Sequence, residues 1–342
     1  MKYDAIVIGA GSAGCVAAAR LSEDPARSVL LLEAGPDYPD LEQLPDDLKY
    51  GYTRTAEIKG APHNWSLTGH ITSAQGPIHV AQGKVIGGSG AINGQVFLRG
   101  LPDDYDTWAS WGNDEWAYLK VLPYFRKMEM DLDIRDDFHG SDGLIPILRR
   151  EGETWPPIQM ALYRACVAAG FPEDRDMNGP DTAGVGAIPM NNPDGIRMST
   201  ALTHLNPSRH RLNLTIRGNV LVRRILFDGR RAIAVEAESG GEVFTVEGEE
   251  IMLSAGGIRS PHLLMLSGVG PAGHLRRLGI PVVHDLPGVG QNLRNHPNAG
   301  VMLRVKESVH LAPDALGVRI ALRYTASGSS SRNDMLLQTS SI

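Results

Sequence analysis

Cysteine is nearly absent from this sequence. Cys15 and Cys166 are the only two among 342 residues, and they lie far apart with no CxxC arrangement. That excludes a disulfide framework and makes a reducing compartment the expectation. An excess of basic charge is missing too. Lys and Arg total 33 against 39 Asp and Glu, a net charge of −6, which argues against a nucleic-acid partner. No apolar run reaches the roughly 18 residues that a membrane span requires. No HxH, HxxxH or paired-cysteine spacing occurs, so no metal site is expected. No GxSxG occurs either, which removes the hydrolase nucleophile elbow. The N-terminus runs Met1-Lys2-Tyr3-Asp4 into Ala5–Ile8, and glycines 9, 11 and 14 then interrupt any signal-like apolar stretch. The expected location is therefore cytoplasmic.

What is abundant is glycine, with 39 residues, in a chain that is 42% hydrophobic. Such a chain can bury a core, and its length suggests about two domains. The first 33 residues read as strand, glycine-rich turn, helix, strand, acid. Tyr3–Ile8 is apolar, Gly9-Ala10-Gly11-Ser12-Ala13-Gly14 follows, Cys15–Leu21 is rich in small helix formers, and Ser28–Leu32 ends at Glu33. In such a unit the first glycine permits a tight turn and the second lets backbone approach a pyrophosphate. The third lets helix and strand pack closely. The helix N-terminus offers free N–H groups to phosphate oxygens. Glu33 can accept hydrogen bonds from a ribose diol, and an acid there disfavours a 2′-phosphate. NAD and FAD both fit this unit.

A second cluster, Lys84-Val85-Ile86-Gly87-Gly88-Ser89-Gly90-Ala91-Ile92-Asn93-Gly94-Gln95-Val96, would ruin an ordinary helix interior. It suits backbone lying against a flat or charged group. This stretch resembles the first signature of the glucose–methanol–choline (GMC) oxidoreductases, flavoenzymes that oxidise alcohols. Ser254-Ala255-Gly256-Gly257-Ile258-Arg259-Ser260-Pro261-His262 through Pro271 resembles their second signature. Gly279–Val283, Leu286–Leu293, Trp108–Glu129 and Gly195–Leu205 continue the pattern in order.

The resemblance implies FAD as cofactor. It implies an α/β architecture: a Rossmann-like FAD-binding domain with a second, antiparallel-sheet α+β substrate domain that is incomplete here. The FAD domain is expected at 1–38, 61–100 and 203–298. Substrate-domain and connecting segments are expected at 39–60, 101–202 and 299–342. By the same resemblance Gly9, Gly11, Ser12, Ala13 and Gly14 hold the pyrophosphate, and Glu33 with Ala34 the adenosine ribose. Val85, Gly88, Asn93, Gly94, Gln95 and Val96 line the pyrophosphate and flavin end, with Trp65 nearby. Val222 contacts adenine, and Ala255 and Gly256 pass the cofactor at a strand end. Some relatives attach FAD through a histidine in the first signature. That position is Ile92 here, so non-covalent FAD is expected. Gly257 replaces a residue that is usually alanine, a small change where small size matters.

Elsewhere the pattern predicts a helix over 158–170 and strands at 214–216, 220–227, 232–237 and 245–254, with a hairpin turn at Asp228-Gly229. Trp108, Trp111, Trp116, Leu119, Leu122, Tyr124 and Phe125 read as helical packing faces for a core. The five acids of 131–142 read as a solvated loop that needs no partner. Flavin-dependent alcohol oxidation needs a base for the hydroxyl proton while a hydride passes to flavin N5, and a neutral histidine is the natural base. In the resembled family the base and its partner lie near the C-terminus, so the base is expected outside this chain. His79, His204, His262 and His296 read as structural. The implied partners are a small alcohol and an electron acceptor, oxygen or another carrier. The chain is expected to stop early, and residues 1–342 alone to be poorly soluble and inactive. The alternatives are a non-catalytic flavin-binding subunit completed by another chain and an NAD-dependent dehydrogenase.

Overall fold

The computed structural model describes residues 2–52, 55–70, 72, 75–150, 152–302, 304, 306 and 317–339. The chain forms two compact units. The first comprises Met1–Lys49, Thr55–Ile92 and Ser199–Arg304, and the second Tyr50–Arg54, Asn93–Met198 and Val305–Ile342. The division falls between Ile92 and Asn93, inside the second glycine-rich stretch.

The first unit is built on a six-stranded mixed sheet. Its order is Leu214–Arg217, β2 (Val29–Leu32), β1 (Lys2–Ile8), Glu242–Leu253, Arg231–Ser239, Leu221–Asp228. The first three pairings are parallel and the last two antiparallel. Helix α1 (Ser12–Leu21) connects β1 to β2. Strands covered on both faces read as unbroken apolar runs, and that is why Ala5–Ile8 and Val29–Leu32 carry no polar residue. Alternation then assigns the faces. Ala5, Val7, Val29 and Leu31 pack with Cys15 and Ala18 of α1. Ile6, Ile8, Leu30 and Leu32 pack on the other side with Val235 and Leu263. The hairpin at Asp228-Gly229 forms as expected, with Gly229 at φ +58°.

The second unit holds a three-stranded antiparallel sheet, in the order Met335–Gln338, Ile320–Tyr324, Gly184–Ala187. It also holds a short parallel pair, Glu129–Asp131 with Ile145–Ile147, and helices Pro102–Ser110, Tyr118–Met128 and Pro157–Ala168. The last helix starts on a proline, whose missing N–H costs nothing at that position. It stops ahead of Gly170, which takes φ +89°. Among the described residues no helix is long and apolar enough to cross a membrane.

Two expectations for this unit fail. The aromatic stretch does not build a core: Trp111, Leu119 and Tyr124 are 72%, 76% and 71% exposed, and Trp108 and Trp116 are also exposed. The buried stripe of helix Tyr118–Met128 is instead Tyr118 and Val121, with Leu122 and Phe125 half-buried. Those four positions follow the i, i+3, i+4, i+7 spacing of one helix face. Trp108 and Trp116 lie off that stripe and pack edge-on against each other, and Trp108 also meets Tyr105 edge-on.

The acidic loop is not simply solvated either. Asp131 is fully buried, and Arg149 Nη1 donates to both its oxygens at 3.0 and 2.9 Å. Arg149 Nη2 donates to Asp176 at 2.8 Å. Buried His139 meets Asp136 through Nδ1 at 2.8 Å, and its Nε2 lies 3.4 Å from Asp176. Arg99 pairs with the wholly buried Glu129. These acids are inside because cations from distant parts of the unit meet them there.

Burial works against a charge on His139, but hydrogen bonds and charge from Asp176 and Asp136 outweigh it and raise its pKa above 6.5. A histidine raised by partners stabilises the fold fully below its unfolded pKa, and that contribution is lost as pH rises through the raised value. The thermal midpoint should therefore fall as pH climbs upward from about 6.5. His139→Gln should flatten that decline in calorimetry. An equally steep decline in the variant would place its origin elsewhere.

Candidate functional site

In the first unit a cavity of about 1050 Å³ opens where β1, β2 and the strand Glu242–Leu253 end, lined by Ile8, Leu32 and Leu253. Ligands of open α/β sheets bind outside these carboxyl ends. Gly9, Gly11, Ser12 and Ala13 line it directly. Gly14 does not reach the cavity surface but makes the turn possible. A Cβ on it would sit 1.9 Å from the Gly9 carbonyl oxygen. At Gly11 nothing of the protein demands glycine. Its φ is −75° and a Cβ would meet only Gly88 Cα, at 4.0 Å. The open space beside Gly11 is the ligand's side of the turn. The first backbone N–H that α1 satisfies internally is that of Cys15, donating to Gly11 at 3.0 Å. The N–H groups of Ser12, Ala13 and Gly14 thus have no helical acceptor and suit an anion.

The two glycine clusters meet. Gly88 lines the cavity at φ +55°, and a Cβ there would lie 2.6 Å from Gly11 Cα. The close approach of the two turns leaves no room for a side chain on Gly88, whereas the Cβ direction of Gly11 points away from the contact. Val85 sits behind, buried with Leu48, Ala56, Ala91 and Ile92 in an apolar cluster. Glu33, Ala34, Trp65, Val222, Ala255 and Gly256 also line the cavity. Glu33 is buried and accepts from the N–H of Ala10 at 2.9 Å and of Gly35 at 3.0 Å. Burial raises its pKa, while the N–H donors of Gly35, Ala10 and Ala34 pull the other way. It braces the glycine turn as well as facing the cavity, a bond that spacing alone did not reveal.

Asn93, Gly94, Gln95 and Val96 belong to the second unit. There Asn93 Oδ1 accepts from the Gln95 N–H at 3.0 Å, and buried Gln95 Oε1 accepts from Asn192 at 2.7 Å. Val96 bridges to Met190. His79 has both ring nitrogens on backbone carbonyls, of Leu67 at 3.2 Å and Glu57 at 2.9 Å. Buried His204 meets Thr203 Oγ1 at 2.9 Å, and burial lowers its pKa. His296 is exposed. His262 lines the cavity, its pKa lowered by burial and by the charge of Arg259. His139 does assemble two carboxylate clusters of metal-ligand dimensions, with Glu129 and Asp131 and with Asp136 and Asp176. Arg99 and Arg149 already neutralise Glu129, Asp131 and Asp176 there. Sequence spacing missed this cluster because its members are spread over residues 99–176.

Comparison with known proteins shows the family. The GMC oxidoreductase family model matches residues 3–298. The chain belongs to the GMC oxidoreductase family. Relatives include the oxygen-dependent choline dehydrogenase of Pectobacterium atrosepticum, 42% identical over 324 residues, covering 92% of this chain and 56% of the relative. The mitochondrial choline dehydrogenase of Homo sapiens is 40% identical over 302 residues, covering 86% and 50%. The crystal structure of pyridoxine 4-oxidase from Mesorbium loti superposes with a TM-score of 0.85 at 29% identity, over 98% of this chain and 65% of that one. The chain thus spans a little over half the length of the curated relatives it matches. FAD is the cofactor of this family fold, and the residues present fit it. The glycine cradle leaves an open approach at Gly11, the N–H groups of Ser12, Ala13 and Gly14 have no helical acceptor, and a buried carboxylate sits at the end of β2.

Proposed function

We propose that this GMC chain binds FAD non-covalently in the first unit's cavity and serves the oxidation of a small alcohol to a carbonyl compound. The observation that carries this reading is the contact of the Gly11 turn with the Gly88 turn beneath one cavity. A nicotinamide enzyme needs only the first turn. When bound, FAD supplies a hydride acceptor at N5. The protein's part is to bind and orient. Gly9–Gly14 and the N-terminus of α1 hold the pyrophosphate, Glu33 with Ala34 the ribose, and Val222 the adenine. Ala255 and Gly256 flank the cofactor from the end of the strand Glu242–Leu253. Val85 supports the cradle through its packing, and Asn93–Val96 are assigned to the flavin end. Ile92 offers no nucleophilic atom and is buried among apolar neighbours, which favours a non-covalent flavin.

The alcohol proton requires a base, and this reading assigns that role to none of the eleven histidines. His79 and His204 are engaged in internal hydrogen bonds. His262 stands beside a guanidinium whose charge weakens it as a proton acceptor. The reading therefore takes the base from outside residues 1–342. Its choline-type relatives make a small hydroxylated cation one substrate class to try, and pyridoxine 4-oxidase adds aromatic primary alcohols. Anaerobic reduction of the bound flavin by such alcohols tests the reading.

A further inference from the structure

Arg259 is a cation with no evident employment. It stands in the first turn of the helix Gly256–Leu266 and lines the same cavity as Gly9, Gly11 and Ser12. Its guanidinium carbon lies 3.7 Å from the ring centroid of Trp65. A guanidinium centred over a ring at that distance makes a cation–π contact, which takes up none of its N–H donors. Among the described residues no hydrogen bond or ion pair takes them up, and Nε is buried without an acceptor. The other arginines lining this cavity are committed. Arg224 donates to Glu236 at 2.8 Å, and Arg223 lies 3.6 Å from Glu238. Glu33 and Glu236 are the acids of the same lining. Glu236 is already neutralised by Arg224, which leaves Glu33 as the unneutralised acid and Arg259 as the unpaired arginine among the described lining residues, so a doubly anionic diphosphate entering here would be met by Arg259.

We propose that Arg259, held by Trp65, is the residue that pairs with the diphosphate of the cofactor, together with the N–H groups of α1. The inference rests on the FAD reading and adds to it a cation that the glycine motif does not contain. The contact with Trp65 fixes the guanidinium before the ligand arrives, so little side-chain freedom remains to be lost on binding. Lys84, whose Nζ is 4.9 Å from the same ring, adds positive potential without lining the cavity.

The test is titration of the purified protein, stripped of flavin, with FAD, ADP and adenosine, comparing wild type with Arg259→Gln and Arg259→Lys. Removing one charge-assisted contact should weaken FAD and ADP about 10- to 100-fold in Arg259→Gln. Adenosine, which has no phosphate, should bind the two proteins equally. Arg259→Lys should recover part of the loss, because charge is kept and the fork is not. The salt dependence of ADP binding should also be shallower in Arg259→Gln. Equal FAD affinity in Arg259→Gln and wild type would overturn the assignment and leave the FAD reading intact. A parallel loss for adenosine would also overturn it, because that pattern means a deformed cavity. Failure of wild type to bind FAD or ADP would instead overturn the reading beneath it.

Discussion

Gly14→Ala should lower the stability of the protein by about 3 kcal/mol, which for a unit of this size is roughly 6–12 °C in thermal midpoint. The methyl would be driven to 1.9 Å from the Gly9 carbonyl oxygen, a backbone atom that cannot swing away. Relief requires α1 to move off β1, opening the packing of Cys15 and Ala18 on Val7 and Leu31. Gly11→Val should behave in the opposite way. A Cβ there would meet only Gly88 Cα, at 4.0 Å, so apo stability should fall by less than about 1 kcal/mol, well short of the Gly14→Ala loss. The added branches would stand where the pyrophosphate approaches, and FAD affinity should fall by at least about 100-fold through two lost charge-assisted hydrogen bonds. Calorimetry of the apo proteins and fluorescence titration with FAD separate the two. A Gly11→Val protein that binds FAD like wild type would remove the turn from the cofactor site.

Arg99→Met should cost about 3–5 kcal/mol, the usual penalty for leaving a buried ion without its partner. Glu129 is wholly buried, and among the described residues its hydrogen-bond partners are Arg99 and the Gly140 N–H, which donates at 3.0 Å. Arg99 is itself tied to the Phe138 carbonyl at 2.9 Å and stacks on Phe125, so some of the loss is packing. The double variant Arg99→Met with Glu129→Leu should regain most of the stability, because the uncompensated charge is gone. Four of the five tryptophans lie in this unit, so urea unfolding followed by tryptophan fluorescence reports it directly. A single variant within about 1 kcal/mol of wild type, close to the effect of an ordinary surface change, would mean that the pair contributes little to stability.

Much of the first unit was legible because its signals are local. A turn that needs glycine, a helix beginning on free N–H groups and strands buried on both faces each leave their mark within a few adjacent residues. The strand ends and the hairpin at Asp228-Gly229 follow from the same kind of signal. What the sequence hid were meetings at long range. Gly11 and Gly88 form one backbone contact, yet nothing in either motif points to the other. The partners Arg99 and Glu129 are 30 residues apart, and Arg149 and Asp131 are 18 apart, so acids destined for burial looked like a solvated run. The aromatic stretch misled for another reason. Apolar content was counted without the phase of the helix, and the phase puts Tyr118 and Val121 inward while Leu119 and Tyr124 face out. Arg259 was overlooked because a charge inside a family signature carries no local sign of whether an acid waits for it.

The cavity over β1 and β2 is proposed to hold FAD for alcohol oxidation. The most direct test uses the protein expressed from its complete coding sequence and loaded with FAD. This holoprotein is mixed under anaerobic conditions with a panel of primary alcohols that includes choline. The prediction is that at least one alcohol abolishes the oxidised-flavin absorbance, that oxygen restores it or an added electron carrier does, and that acid precipitation releases the flavin from the protein. An unchanged flavin band with every alcohol, together with reduction of added NAD by the same alcohols, would contradict it.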